Sequence, residues 1–216
     1  MSGTIVPKLI AKDLYFHRWL IGLTILTGLG SIWLSSVSEI VGAVAFVTVL
    51  TVCAIFVGLV NVTKERAERS SLFVLSLPVS PQQYVAAKVG AASIGYLTAW
   101  SVLLAVVLVL SRLDPSPGAG GPESIVSLMT LLLTNFFVLL TVGILTTAEI
   151  WVAAAIIGTN LTVPLFFAQS GAPEGAAPGA AGLSPGLVAA FGVEAAIVLL
   201  CLGLIYFTQT RRKDFV

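Results

Sequence analysis

Few residues in this chain can do chemistry, and they form no catalytic pattern. No GxxxxGKS/T run cradles phosphates, and no HExxH occurs. The single histidine, His17, and the two cysteines, Cys53 and Cys201, have no second metal ligand at a useful spacing. What remains is a carboxylate and two amides inside apolar runs, Glu194, Asn135 and Asn160, and one charged stretch, KERAERSSLFVLSLPVSPQQYVAAK, beginning at Lys64. An ionisable side chain at membrane depth costs about 3 kcal/mol even on the permissive insertion scale, so Glu194 needs a reason to be there. Two are open. Either it faces a cavity and contacts cargo or a cation, or it is protonated or hydrogen-bonded against Asn135, Asn160 or a threonine of a neighbouring helix. With no candidate nucleophile, metal site or nucleotide-binding loop, the chain is expected not to be an enzyme. Glu149 falls at a turn between apolar runs and reads as a boundary marker.

The charged stretch has internal order. Lys64 with Glu68 and Glu65 with Arg69 are spaced to pair across one helical turn. Leu72, Phe73, Val74, Leu75 and Leu77 follow as an apolar run that Pro78 closes. Ser80, Pro81 and Gln83 then mark a fresh helix start, as cap, first helical residue and capping-box partner. A charged and partly apolar element held at a membrane surface can dock a soluble partner or be an ordinary amphipathic loop.

Composition says what must position these residues. Of 216 residues 57% are hydrophobic and 10% charged, against roughly 25% charged in soluble domains. Too few charges remain to cover a soluble surface, and the formal net charge of +1 gives no ground for a nucleic-acid partner. Charges and Pro/Gly clusters divide the chain into six apolar stretches, about 19–37, 40–62, 89–111, 124–148, 150–168 and 186–208. A hydrocarbon core of roughly 30 Å needs about 20 helical residues, which each stretch supplies. Long unbroken apolar runs exclude the alternating pattern of a β-barrel. The expected fold is therefore all-α, a single polytopic domain of six transmembrane helices over 1–216.

Cations fix the expected orientation. With the N-terminus inside, ten of the eleven Lys and Arg fall on the inner side and only Arg112 falls outside. Both termini are then cytoplasmic, as is the segment 63–88, and the protein sits in the cell membrane, multi-pass, of a bacterial cell. Residues 1–18 are expected to form an amphipathic helix in the cytoplasmic interface. Its apolar half carries Ile5, Val6, Leu9, Ile10, Leu14 and Phe16, and its cations face anionic headgroups. Asp13 and His17, four apart, are placed to pair. Pro164 should kink the fifth span and free the carbonyl of Asn160. Small residues four apart, such as Ala91/Gly95 and Ala154/Gly158, allow close helix approach.

The charged turn, the apolar helix, SLPVS, and then Tyr84, Val85 and Lys88 opening the next span resemble the permeases of type 2 ABC exporters, in particular the short ones without a fused ATPase domain. The amphipathic start KLIAKDLYFHRWL, the six spans and the basic C-terminus extend the resemblance over most of the chain. It implies that the 63–88 segment is a coupling helix pressed on the ATP-binding subunit, with Glu65, Glu68, Arg69, Leu72, Phe73, Leu75, Leu77 and Pro78 as contact residues. It also implies two ABC ATPase subunits as partners, ATP and Mg on those subunits with no cofactor in this chain, and a permease dimer, either homodimer or heterodimer. Cargo would be an amphipathic drug, lipid-like molecule or peptide, because cavity charges are few. A haem-exporter permease, a membrane subunit that tethers or regulates an ATPase without transporting, and an ion-coupled secondary transporter are the competing readings. No internal repeat favours the last.

Overall fold

The computed structural model describes residues 5–60, 81–113, 122–146, 148–170 and 185–211. These form α1 (Ile5–Ser35), α2 (Glu39–Ala54) continued by a π-helical turn (Ile55–Val60), α3 (Pro81–Leu113), α4 (Pro122–Leu145), α5 (Glu149–Ser170) and α6 (Pro185–Arg211). Six helices are long and apolar enough to cross a membrane, as the composition requires, and the described residues contain no strand. The protein is an integral, multi-pass membrane protein.

Boundaries follow local chemistry. α3 begins at Pro81, as the proline-led start predicts, so residues 81–88 are helical and continuous with the third span. The α4–α5 link is only three residues. Within it the Ala148 N–H donates to Thr146 Oγ1, 3.1 Å away, and the Ala148 carbonyl accepts from Trp151. Glu149 stands exposed in the first turn of α5, where a carboxylate complements the helix dipole. Pro164 lies inside α5, which continues through it. The α1–α2 hairpin is as tight: Ser36, Val37 and Ser38 donate back to Trp33 and Leu34 carbonyls, and a Cβ on Gly42 would strike the Ser35 backbone.

Two expectations about the N-terminus are corrected. No separate interface helix ends near residue 18, because α1 runs unbroken from Ile5 to Ser35. Its apolar face is also taken by protein: Ile10 packs where Gly90 lacks a side chain, and Leu14 and Ile21 do so at Gly95, both on α3. Phe16, assigned to that face, is exposed instead. The Asp13–His17 side-chain pair does not form either. His17 Nδ1–H donates to the Asp13 main-chain carbonyl at 2.7 Å, and the Asp13 carboxylate meets Lys88 of α3 at 2.6 Å. Both members of that ion pair are buried.

Ile10 opposite Gly90, Leu14 and Ile21 opposite Gly95, and Gly28 opposite Leu103 advance together along the two helices, so α1 and α3 lie side by side and parallel. With 31 and 33 residues they reach about 46 and 50 Å at 1.5 Å per residue, longer than a hydrocarbon core of roughly 30 Å. The ion pair clamps their N-terminal ends together.

α4 is the central helix, packed against α3, α5, α6 and the α2 π-turn. Tyr96 of α3 stacks on Phe136 of α4 with ring centroids 4.2 Å apart, and both are fully buried. The Tyr96 hydroxyl donates to the Leu132 carbonyl at 3.2 Å, and Trp100 Nε1–H donates to the Met129 carbonyl at 2.8 Å. These buried donors find acceptors across the seam, as aromatic residues with a polar tip require. The π-turn reaches α4 backbone to backbone, since a Cβ on Gly143 would lie 3.2 Å from the Gly58 carbonyl oxygen.

The ion pair makes a direct prediction. Lys88→Met or Asp13→Asn alone leaves a buried polar group without its counter-charge and should cost about 3 kcal/mol, lowering thermal stability in detergent. Asp13→Leu combined with Lys88→Met should recover most of the loss. A double variant no better than the singles would show that the pair does not hold α1 to α3.

Candidate functional site

α5 and α6 both pack on α4 and scarcely touch each other. Between them runs a groove of about 510 Å³ with α4 as its floor. Its walls are mostly apolar, with Leu131 and Val138 from the floor and Val193 and Ile197 from α6, and small residues at Ala155, Gly158 and Ala190 keep it open. A Cβ on Gly158 would meet nothing within 4 Å.

The polar residues of the groove sit together. Asn135 of α4 donates from Nδ2 to Thr162 Oγ1 at 2.9 Å and to the Thr159 carbonyl at 3.2 Å, tying α4 to α5. Thr159 and Thr162 turn their own hydroxyl protons to α5 carbonyls, of Ala155 and Thr159 respectively, and Thr134 turns its proton to the Thr130 carbonyl. Glu194 faces the same groove from α6, nine-tenths buried, and its Oε2 has no hydrogen-bond partner. Unsatisfied buried polar atoms are uncommon in native proteins, and they concentrate where something else binds.

Of the three polar residues singled out in the sequence, Glu194 and Asn135 therefore share the groove and Asn160 does not. Asn160 lies on another face of α5, where its Nδ2 donates to the Ile156 carbonyl at 2.8 Å. It lines a second cavity of about 350 Å³ between α2 and α5, beside Pro164 and Thr48. Thr134, Thr159 and Thr162 were not singled out. Their spacing gives no sign of which threonines face a neighbour, although Thr159 and Thr162 lie one turn apart. Cys53 and Cys201 are buried free thiols. Glu65, Glu68, Arg69, Leu72, Phe73, Leu75, Leu77 and Pro78 lie outside the described residues.

Six membrane-crossing helices with an open, mostly apolar groove lined at one level by a carboxylate, an amide and hydroxyls make up the membrane-embedded part of a transporter. The family model for the ABC-2 family transporter protein matches residues 8–172, and the chain belongs to that family: it is a permease subunit of an ABC transporter. The family implies association with an ABC ATPase and a transport role for this chain. No curated protein and no solved structure matches it. The match covers all of α4 and α5 but ends before α6, so the placement of Glu194 in the groove comes from the structure alone.

The Asn135 bridge sets how firmly α5 is held. Hydrogen bonds between membrane helices contribute about 0.6 kcal/mol on average, so Asn135→Ala and Thr162→Val should each lower thermal stability slightly and speed hydrogen exchange in α5. The double variant should be no worse than Asn135→Ala, because the Thr162 hydroxyl acts through that amide. Full additivity would show that α5 is held by other means.

Proposed function

We propose that this chain is the membrane half of an ATP-driven exporter and carries an amphipathic molecule out of the cytoplasm with energy from a separate ATPase. Both termini and residues 61–80 lie on the cytoplasmic side in this reading, which the distribution of Lys and Arg supports. Two permease chains, identical or related, complete the pathway, and two ATPase subunits press on the segment carrying Glu65, Glu68, Arg69, Leu72, Phe73, Leu75, Leu77 and Pro78.

One observation carries this reading: in an ABC permease, the groove between α5 and α6 offers an apolar molecule a way in and holds polar groups at one level for its head. Asn135 and Glu194 are the cargo contacts in this proposal, and Asn160 belongs to the wall of the neighbouring cavity. α3 follows directly on residues 61–80, and its N-terminal turns are clamped to α1 through Lys88 and Asp13. A push on that segment therefore reaches two spans together. ATP binding on the partner closes the subunit pair and turns the groove from inward to outward access.

The test is co-purification with an ABC ATPase subunit of the same organism, followed by transport in proteoliposomes. Leu72→Asp with Phe73→Asp should abolish ATPase association and cut ATP-driven efflux at least about tenfold, the change that about 1.4 kcal/mol of lost interface brings, while thermal stability of the permease alone stays near that of the parent. Unaltered association in that variant would overturn the coupling assignment. Efflux driven by an ion gradient without any ATPase would overturn the exporter reading.

A further inference from the structure

We propose that the α4–α5–α6 groove is a binding site for a primary ammonium group on an alkyl chain, which makes the cargo class an amphipathic amine; this rests on reading the groove as the cargo site. The argument is the chemistry the groove leaves unspent. Every described hydrogen bond of its polar lining consumes a donor. Thr134, Thr159 and Thr162 give their hydroxyl protons to backbone carbonyls, and Asn135 uses Nδ2 on Thr159 and Thr162. What this lining leaves unused, just beneath the apolar walls, are hydroxyl lone pairs and the buried Glu194 carboxyl, with Oε2 unpartnered. With Glu194 ionised, such a lining accepts and does not donate.

A primary ammonium is the complement: three N–H donors, no acceptor and one positive charge. Its charge answers Glu194 in a medium where an uncompensated carboxylate is costly. Its other donors reach hydroxyl oxygens that already point their protons elsewhere. The alkyl chain lies along Leu131, Val138, Val193 and Ile197, and the side opening lets it enter from the bilayer. A carboxylate or phosphate head is disfavoured twice, by repulsion from Glu194 and by the lack of donors. A neutral alcohol fills the same apolar walls but offers one donor and no charge.

The experiment uses the full chain in nanodiscs with radiolabelled dodecylamine, dodecanol and laurate as probes, and empty nanodiscs to subtract partition into lipid. Dodecylamine should bind saturably, once per chain, and laurate should not compete. Glu194→Gln should weaken dodecylamine binding at least about tenfold, as loss of a hydrogen bond to a charged group does, and leave dodecanol unchanged. Gly158→Leu, placed where a side chain meets open space, should block both amine and alcohol while the melting temperature stays within a few degrees of the parent. That second variant keeps the test decisive should Glu194→Gln fold poorly.

Equal binding of amine and alcohol, or amine binding indifferent to both substitutions, would overturn the site. So would an intermolecular disulfide formed through Gly158→Cys and absent from the parent, because a second copy of the chain would then fill the groove. A chain that discriminates the amine yet recruits no ATPase keeps the site and loses the transport reading; one that recruits the ATPase and discriminates no amine loses the site alone.

Discussion

A polar group inside a bilayer has no water to fall back on, and nearly every side-chain hydrogen bond in this protein follows from that constraint. Hydroxyls of serines and threonines throughout the described helices turn back to carbonyls three or four residues earlier in the same helix: Thr24 to Leu20, Ser31 to Gly28, Thr98 to Ile94, Thr141 to Phe137. These residues satisfy themselves locally and leave packing undisturbed. The groups too large or too charged to do so must find partners on another helix. Tyr96, Trp100 and Asn135 bond to neighbouring helices, and Asp13 meets Lys88, so the interhelical polar contacts mark where helices are fixed.

The constraint also sets how each helix is joined to its neighbours. α1, α2, α3 and α4 are joined by an ion pair, a tight hairpin, a stacked aromatic pair and glycine-mediated approach. Without a hydrophobic drive between helices in lipid, such close packing and polar contacts supply the attraction. α5 is held through α4 and, among its polar contacts, by Asn135 with its threonines. The groove lies between α5 and α6, and Glu194 Oε2 is the one buried side-chain polar atom without a hydrogen-bond partner among the described residues. The N-terminal end of α3, clamped to α1 by the Asp13–Lys88 pair, is next in sequence to the segment through which the ATPase is proposed to act.

Sequence alone determined the class of fold, because hydropathy over about 20 residues is a local property and six such runs admit no soluble alternative. It also located the α3 start, since proline at a first turn is a local signal, and it named Glu194, whose cost in lipid does not depend on its neighbours. What it left open were the relations between helices. Asp13 lies four residues from His17 and seventy-five from Lys88, and only the parallel docking of α1 on α3 made the distant partner the nearer one. The apolar face of residues 5–18 was legible, but whether lipid or protein would cover it rested on glycines at 90 and 95 in another helix. Asn135 and Asn160 looked alike in the sequence, and the rotation of α5 about its axis sent one to the groove and the other to a different cavity. Composition and period are written residue by residue, whereas partnership is set by how helices rotate and register against each other, which tertiary packing alone decides.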